Sequence, residues 1–484
     1  MQSALNSWTL RFAAASLFAS IAVGSARAEG VPAAKVTGPI PVRSALGDPS
    51  HDYPFLTPKE DLAKLGFVEE EFFVEGTANR YDTAGGREAK VTSSGHAYRT
   101  RVVVRRPKEA AKFNGTVLVE WQNVTAGYDI DAHWGPSWEH FVEHGYAWVG
   151  VSAQRVGVHG NATTAPATGA TPPGIPTSTR NNGLKAWSPT RYGTLDVTDG
   201  GKVTDDALCY DIFSQATQAL KRPGAVDLLG GLKPKHVFAI GASQSAGRLS
   251  IYYNSIQPLH QVVDAYYLLV GGSGLRTDSK VKVFQLLSET DVAGGPQRRQ
   301  ADSDVFRGWE VAGSAHSSYY ADRYRAPLID RDFGEPVWPA ECDQPPFARV
   351  KTYHVINAQY DLLVKWEESG VAPPAAPKIA FTSATPPVID RDASGIAKGG
   401  IRLPDVSAPI ALNSGVNTGG SFCRLYGTYQ PYDATKLRAL YPDHASYVNA
   451  VTASAKENLA AGYVLDAGAA ALISEAESAD IPPR

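Results

Sequence analysis

Seven short strand-like runs set the problem this chain solves by folding: Arg99–Val104, Thr116–Trp121, Ala147–Ser152, Val237–Ile240, Ala265–Val270, Val281–Leu287 and Trp309–Val311. Several are apolar throughout, as strands covered on both faces must be. Helical stretches fall between them, including Ser137–Glu143 before the third run and Tyr210–Leu220 before the fourth. Strands alternating with helices predict an α/β fold built on a doubly wound, mostly parallel sheet with right-handed crossovers.

The fourth run leads straight into Gly241-Ala242-Ser243-Gln244-Ser245-Ala246-Gly247, which reads as a strand turning sharply into a helix with a serine at the bend. Such an elbow strains its central residue and needs small neighbours two positions away, here Gly241 and Ser245. The same letters allow a second register centred on Ser245, with Gly247 as the small neighbour. Ser243 is preferred because Gly241 is the better close-approach residue. The ordinary alternative is that Ser243 simply caps the helix. As a nucleophile, Ser243 would stand at the carboxyl edge of the sheet. The Gln244 N–H would then face the oxygen that becomes charged there.

A serine nucleophile needs a base and a group to orient that base, downstream in the order acid then histidine. Val281–Leu287 runs into Ser288-Glu289-Thr290-Asp291, and Trp309–Val311 runs into Ala312-Gly313-Ser314-Ala315-His316. His316 is therefore the expected base and Asp291 its expected partner, with Glu289 as the other candidate acid. The second oxyanion donor is expected from the backbone of Asn123, or else Gln122, in the turn after Thr116–Trp121. Aromatic residues cluster there. Trp121 and Tyr128 are the candidate substrate-binding residues, with Trp134 and Trp138 nearby, although aromatics at such spacing also build cores.

Two regions interrupt the strand–helix rhythm. Gly157 to about Thr204 is rich in Gly, Pro, Thr and Asn and reads as a cap or substrate-wall insertion (157–204). Residues 317–484 exceed what one closing helix needs. They carry helical patterns at Thr352–Gly370 and Ala445–Ala461 and read as a C-terminal elaboration of the same domain, residues 29–484.

Before that domain, Arg11 precedes an Ala-rich apolar stretch from Phe12 to Val23, followed by Ala26-Arg27-Ala28. This is the pattern of a signal peptide, residues 1–28, cleaved near Glu29. A retained anchor is the alternative, but the stretch is short for a span, so no stable membrane insertion is expected. Export places the protein in the periplasm or outside the cell. The net charge of −3 and the lack of a dense Lys/Arg block exclude nucleic acid as an expected partner. Of three cysteines, Cys342 and Cys423 lie in loop-like segments and are expected to pair in an oxidising compartment. Cys209 lies in a helical apolar pattern and is expected to stay free. No metal-ligand spacing is read, and neither a metal nor an organic cofactor is expected.

The chain resembles the family of exported serine hydrolases described as alpha/beta hydrolase domain proteins. The stretches that carry the likeness are Val119-Glu120-Trp121-Gln122-Asn123-Val124, Val149-Gly150-Val151-Ser152-Ala153-Gln154, the Gly241–Ala246 elbow, Ser288–Asp291, Trp309–His316, Gly399-Gly400-Ile401-Arg402 and Cys423-Arg424-Leu425-Tyr426-Gly427. The resemblance implies the triad order Ser243, Asp291 or Glu289, then His316, and makes the tail part of the same unit. Together these readings predict hydrolysis of a small-molecule or polymer-derived carboxylic ester through an acyl-enzyme. The same machinery could serve an amidase, a peptidase or an acyltransferase. A non-catalytic relative that kept only the sheet is the reading from a different class.

Overall fold

A computed structural model describes residues 30–84, 88–160, 181–334, 341–420 and 422–483. The proposed signal peptide and part of the 157–204 insertion lie outside the described residues. A nine-stranded sheet runs through the molecule in the order β1-β2-β3-β5-β4-β6-β7-β8-β9. Its strands are β1 (Lys35–Thr37), β2 (Phe67–Asp82), β3 (Lys90–Pro107), β4 (Thr116–Trp121), β5 (Ala147–Val151), β6 (His236–Ala242), β7 (Ala265–Leu269), β8 (Lys282–Ser288) and β9 (Phe306–Val311). From β5 through β4, β6, β7 and β8 to β9 every pairing is parallel. The other edge, β1-β2-β3-β5, is antiparallel.

All seven runs lie in or overlap β3 to β9, and the parallel strands β4, β5 and β7 are buried at every residue. The long strand β2 is the element that hydrophobicity conceals, because three consecutive glutamates in it pair with arginines of the neighbouring β3. Glu69 meets Arg105 at 2.6 Å, Glu70 meets Arg106 at 2.8 Å, and Glu71 pairs with Arg101. Glu71 is completely buried and is shared with Arg191 at 2.7 Å and with the Tyr192 hydroxyl. Burial alone pushes its carboxyl up, but Arg101 and Arg191 outweigh this and hold it below the usual range. Paired charges have replaced the alternating apolar residues that announce a strand.

Helices cover the faces of the sheet. Three expected helices form with boundaries near those read from sequence: Trp134–Glu143, Cys209–Lys221 and Tyr353–Ser369. His444–Ala460 is a fourth. Tyr319–Phe333 and Asp466–Ser478 were not legible, the first because Pro327 and a string of charged residues interrupt its pattern, the second because it is mostly alanine and polar residues. One continuous apolar cluster extends from Val31 to Leu472, so residues of the tail share the core of the sheet. Two small two-stranded ribbons complete the tail, Phe381–Ala384 with Pro387–Ile389 and Ala411–Ser414 with Thr428–Pro431. Cys342 and Cys423 are joined by a disulfide with Cα atoms 5.4 Å apart, while Cys209 is free and buried.

Candidate active site

At the carboxyl end of β6 the backbone turns through Ser243, whose φ of 56° and ψ of −116° lie where L-residues are strained. Such a conformation persists only when its surroundings over-determine it, and here they do. The Ser243 N–H donates to the Leu269 carbonyl at 2.9 Å, and Asn123 Nδ2 donates to the Ala242 carbonyl at 2.8 Å. Ser245 Oγ accepts from the Ala242 N–H and donates to the Ala242 carbonyl, both at 2.9 Å. A Cβ on Gly241 would lie 2.9 Å from Leu249 Cδ1, and one on Gly271 would lie 2.6 Å from the Ser243 carbonyl oxygen. The backbone of strand β6, the helix Gln244–Ile251 and the loop after β7 therefore close tightly around one residue. Ser245 is wholly buried within this clasp, whereas Ser243 faces a cavity.

His316 reaches Ser243 from the loop after β9. Its Nε2 is 2.7 Å from Ser243 Oγ, and its Nδ1 is 2.6 Å from Asp291 Oδ1. Asp291 stands in a single helical turn, Glu289–Val292, capped by Ser288. The second carboxylate oxygen, Oδ2, accepts from the Ser288 N–H at 2.9 Å and the Ser288 hydroxyl at 2.6 Å. That leaves Oδ1 for the imidazole. Asp291 is thus the acid that the geometry brings to His316.

Glu289 has a different place. It is completely buried, accepting from the Gly313 N–H at 2.7 Å, Arg391 Nη2 at 2.7 Å and the Ser414 hydroxyl at 3.1 Å. Thr290 Oγ1 accepts from the His316 N–H at 3.1 Å and donates to the Gly415 carbonyl at 2.5 Å. The Ser317 N–H donates to the Leu425 carbonyl at 2.8 Å. The histidine loop is held on one side by the turn after β8 and on the other by the C-terminal tail.

The oxyanion expectations divide. Gln244 opens the helix behind Ser243, the position from which an N–H points at the bend. Its side chain donates to Gln154 Oε1 at 3.0 Å, which also accepts from Trp121 Nε1. Asn123 does not keep its backbone N–H available. That group donates to the Ile130 carbonyl at 3.2 Å in a bridge across the turn, and the Gln122 N–H points to the Val151 carbonyl at 3.4 Å. The Asn123 side chain buttresses the elbow instead.

Trp121 does not bind substrate from the cavity wall, contrary to the expectation from sequence. It is fully buried, stacked on Phe213 with centroids 4.8 Å apart, and belongs to the core rather than the cavity. Trp134 is likewise core, whereas Trp138 borders a separate cleft on the outer side of its helix. Tyr128 does line the cavity, and burial pushes its hydroxyl up to about 12, so it serves there as a neutral wall.

The cavity has a volume of about 230 Å³ and is walled mainly by apolar side chains such as Leu287, Ile329 and Leu425. None of the described residues of 157–204 contributes to it. The wall comes from the helix Tyr319–Phe333, the start of Tyr353–Ser369 and residues 422–426 beside the disulfide. One charged pair interrupts it, Arg325 Nη1 with Asp322 Oδ1 at 3.3 Å. Burial holds the Asp322 carboxyl up at about 6 although Arg325 and His316 pull it down, and its Oδ2 has no hydrogen-bond partner. Sequence reasoning missed these two residues because the helix that carries them was not legible.

Contrary to the expectation from sequence, a pair of histidines at metal-ligand spacing is present. His140 and His144 stand four residues apart, and with Asp361 they form a group of three potential ligand atoms within 4.8 Å of one another. Among the described residues no helix is long and apolar enough to cross a membrane.

Residues 36–474 match the family described as alpha/beta hydrolase domain, and the chain belongs to it. No curated protein matches. Solved structures with a similar arrangement include a putative acetyl xylan esterase from Bacteroides fragilis, 11% identical, covering 42% of this chain and 44% of that one with a TM-score of 0.23. Others are an α/β serine hydrolase without lid from Xanthomonas campestris (11% identity, 50% and 92% coverage, TM-score 0.27) and a rice cell wall degrading esterase from Xanthomonas oryzae (10% identity, 42% and 42% coverage, TM-score 0.23). The chain spans less than half the length of the first of these.

Proposed function

We propose that the protein is a serine hydrolase that cleaves carboxylic esters through an acyl-enzyme on Ser243. The observation that carries this reading is the unbroken hydrogen-bonded line from Ser243 Oγ to His316 Nε2 and from His316 Nδ1 to Asp291, opening onto an apolar cavity. In the first half-reaction Ser243 Oγ attacks the ester carbonyl while His316 Nε2 takes its proton. Asp291 holds the imidazolium that results, without itself being protonated. The oxyanion develops beside the helix start at Gln244, where a backbone N–H meets it. Collapse of the tetrahedral species expels the alcohol, which receives the proton from His316. Water then attacks the acyl group by the same route in reverse, releasing the carboxylic acid and restoring the Ser243 hydroxyl.

A cavity of about 230 Å³ suits a small acyl or alcohol group better than a long chain. The substrate is accordingly a small-molecule ester or an ester pendant on a polymer. The leader-like sequence pattern of residues 1–28 and the Cys342–Cys423 bridge support export to the periplasm or beyond. The test is a panel of nitrophenyl and methyl esters, together with an organophosphonate probe and peptide mass spectrometry. Adduct formation on Ser243 and turnover of short esters are expected. An adduct on Ser245, or none, overturns the assignment.

A further inference from the structure

The group formed by His140, His144 and Asp361 lies apart from the hydrolytic site. His140 sits on the helix Trp134–Glu143 and His144 immediately follows it, so the two imidazoles project from the same face one turn apart. Their rings lie 4.1 Å apart, centroid to centroid. Asp361 arrives from the helix Tyr353–Ser369, which packs against the first helix. Its Oδ1 is 3.0 Å from His140 Nε2, and its Oδ2 is 3.6 Å from His144 Nδ1.

We propose that these three side chains form a site for a borderline divalent transition ion, of which Zn²⁺ is the representative. Two neutral imidazoles and one carboxylate are a donor set for such ions, and hard cations such as Ca²⁺ prefer sites made entirely of oxygen. One separation, 3.0 Å, already has the value such a site needs, and all three ligand atoms lie within 4.8 Å of one another. Ligand atoms about 2.0–2.1 Å from an ion stand roughly 3.0–3.4 Å from one another in tetrahedral or octahedral sets. Small side-chain adjustments therefore bring all three ligand atoms onto one ion. The hydrogen that now joins His140 to Asp361 is the one the ion replaces.

The surroundings support that role. The Tyr146 hydroxyl donates to Asp361 Oδ1 at 2.7 Å, the kind of outer contact that fixes a ligating carboxylate. His140 and His144 also border an open cleft with a volume of about 880 Å³, so water can reach the remaining coordination positions. An ion there would tie two helices together without touching Ser243.

The experiment uses tag-free protein stripped with chelator, titrated with ZnCl₂ by calorimetry and followed by thermal unfolding, with CaCl₂ as the control. One equivalent of Zn²⁺ is expected to bind and to raise the melting temperature, while Ca²⁺ does neither. His144 is well exposed, so His144→Ala should fold, keep its ester turnover and bind Zn²⁺ at least about tenfold more weakly. Asp361→Asn should weaken binding similarly. Co²⁺ in place of Zn²⁺ should give visible absorption bands that are lost in both variants. Lack of saturable Zn²⁺ binding by the native chain overturns the proposal, as does binding that survives His144→Ala unchanged.

Discussion

Exchanging each carboxylate after β8 for its amide should separate chemistry from stability. In Asp291→Asn the two Ser288 donors keep the amide oxygen at the Oδ2 position, turning the NH₂ toward His316 Nδ1. That nitrogen must then accept rather than donate, so the proton moves to Nε2, where it blocks uptake of the Ser243 proton. A wrong tautomer of this kind costs about 10⁴-fold in kcat in a serine triad with otherwise intact geometry. Folding should change by no more than about 1 kcal/mol, since the Ser288 contacts survive. In Glu289→Gln the balance inverts. The amide has one oxygen for the three donors Gly313 N–H, Arg391 and Ser414, and its NH₂ must face at least one of them. Losing a charge-assisted bond in a buried position costs about 1.5–3 kcal/mol, with the lower end favoured because Arg391 can turn toward water. Thermal unfolding should fall by about 2–5 °C while kcat stays within about tenfold. Nitrophenyl ester kinetics and unfolding curves on both variants decide the matter. If Glu289→Gln loses more turnover than Asp291→Asn, the assigned acid is wrong.

Ser243→Ala should abolish ester turnover, by about 10⁴–10⁶ in kcat, whereas Ser245→Ala should keep the chemistry and lose about 1–2 kcal/mol of stability, because its hydroxyl only braces Ala242. The Asp322 carboxyl, held at about 6 against an ordinary 3.8, favours the fold while protonated, and that contribution is lost as pH rises through about 6. Asp322→Asn should therefore gain in melting temperature relative to the native chain between pH 4 and pH 7, and a pH-independent difference would contradict the burial argument. Reduction of Cys342–Cys423 opens a loop of 81 residues, a loss of roughly 4.5 kcal/mol in the chain-entropy picture. Unfolding measured with and without reductant should show it, whereas Cys209, being buried, should resist alkylation until the chain unfolds.

The parallel half of the sheet was legible because buried parallel strands must be apolar at consecutive positions, and the elbow because its small residues obey a steric rule. The Ser243, Asp291 and His316 positions followed from strand ends alone. What stayed hidden depends on partners distant in sequence. Strand β2 is stabilised by arginines of β3 and by Arg191, so its own letters look like a solvent-exposed stretch. The fate of the Asn123 N–H was decided by Ile130, and that of Trp121 by Phe213 and Tyr210, contacts that no local pattern encodes. The Gly- and Pro-rich composition of the insertion points to a cavity wall there. The wall comes instead largely from Tyr319–Phe333, whose proline and charges disguise a helix.

The attachment of the histidine loop to the tail bears on when activity appears during folding. Ser243 and His316 are only 73 residues apart, but Glu289 waits 102 residues for Arg391 and 125 for Ser414. Long-range contacts of this kind form late, since their closure entropy is met before their binding energy returns. A nascent or prematurely ended chain would thus carry all three reactive side chains without holding them in line. In the proposed reading, hydrolytic competence therefore begins only when the C-terminal tail docks, and activity reports on completed folding.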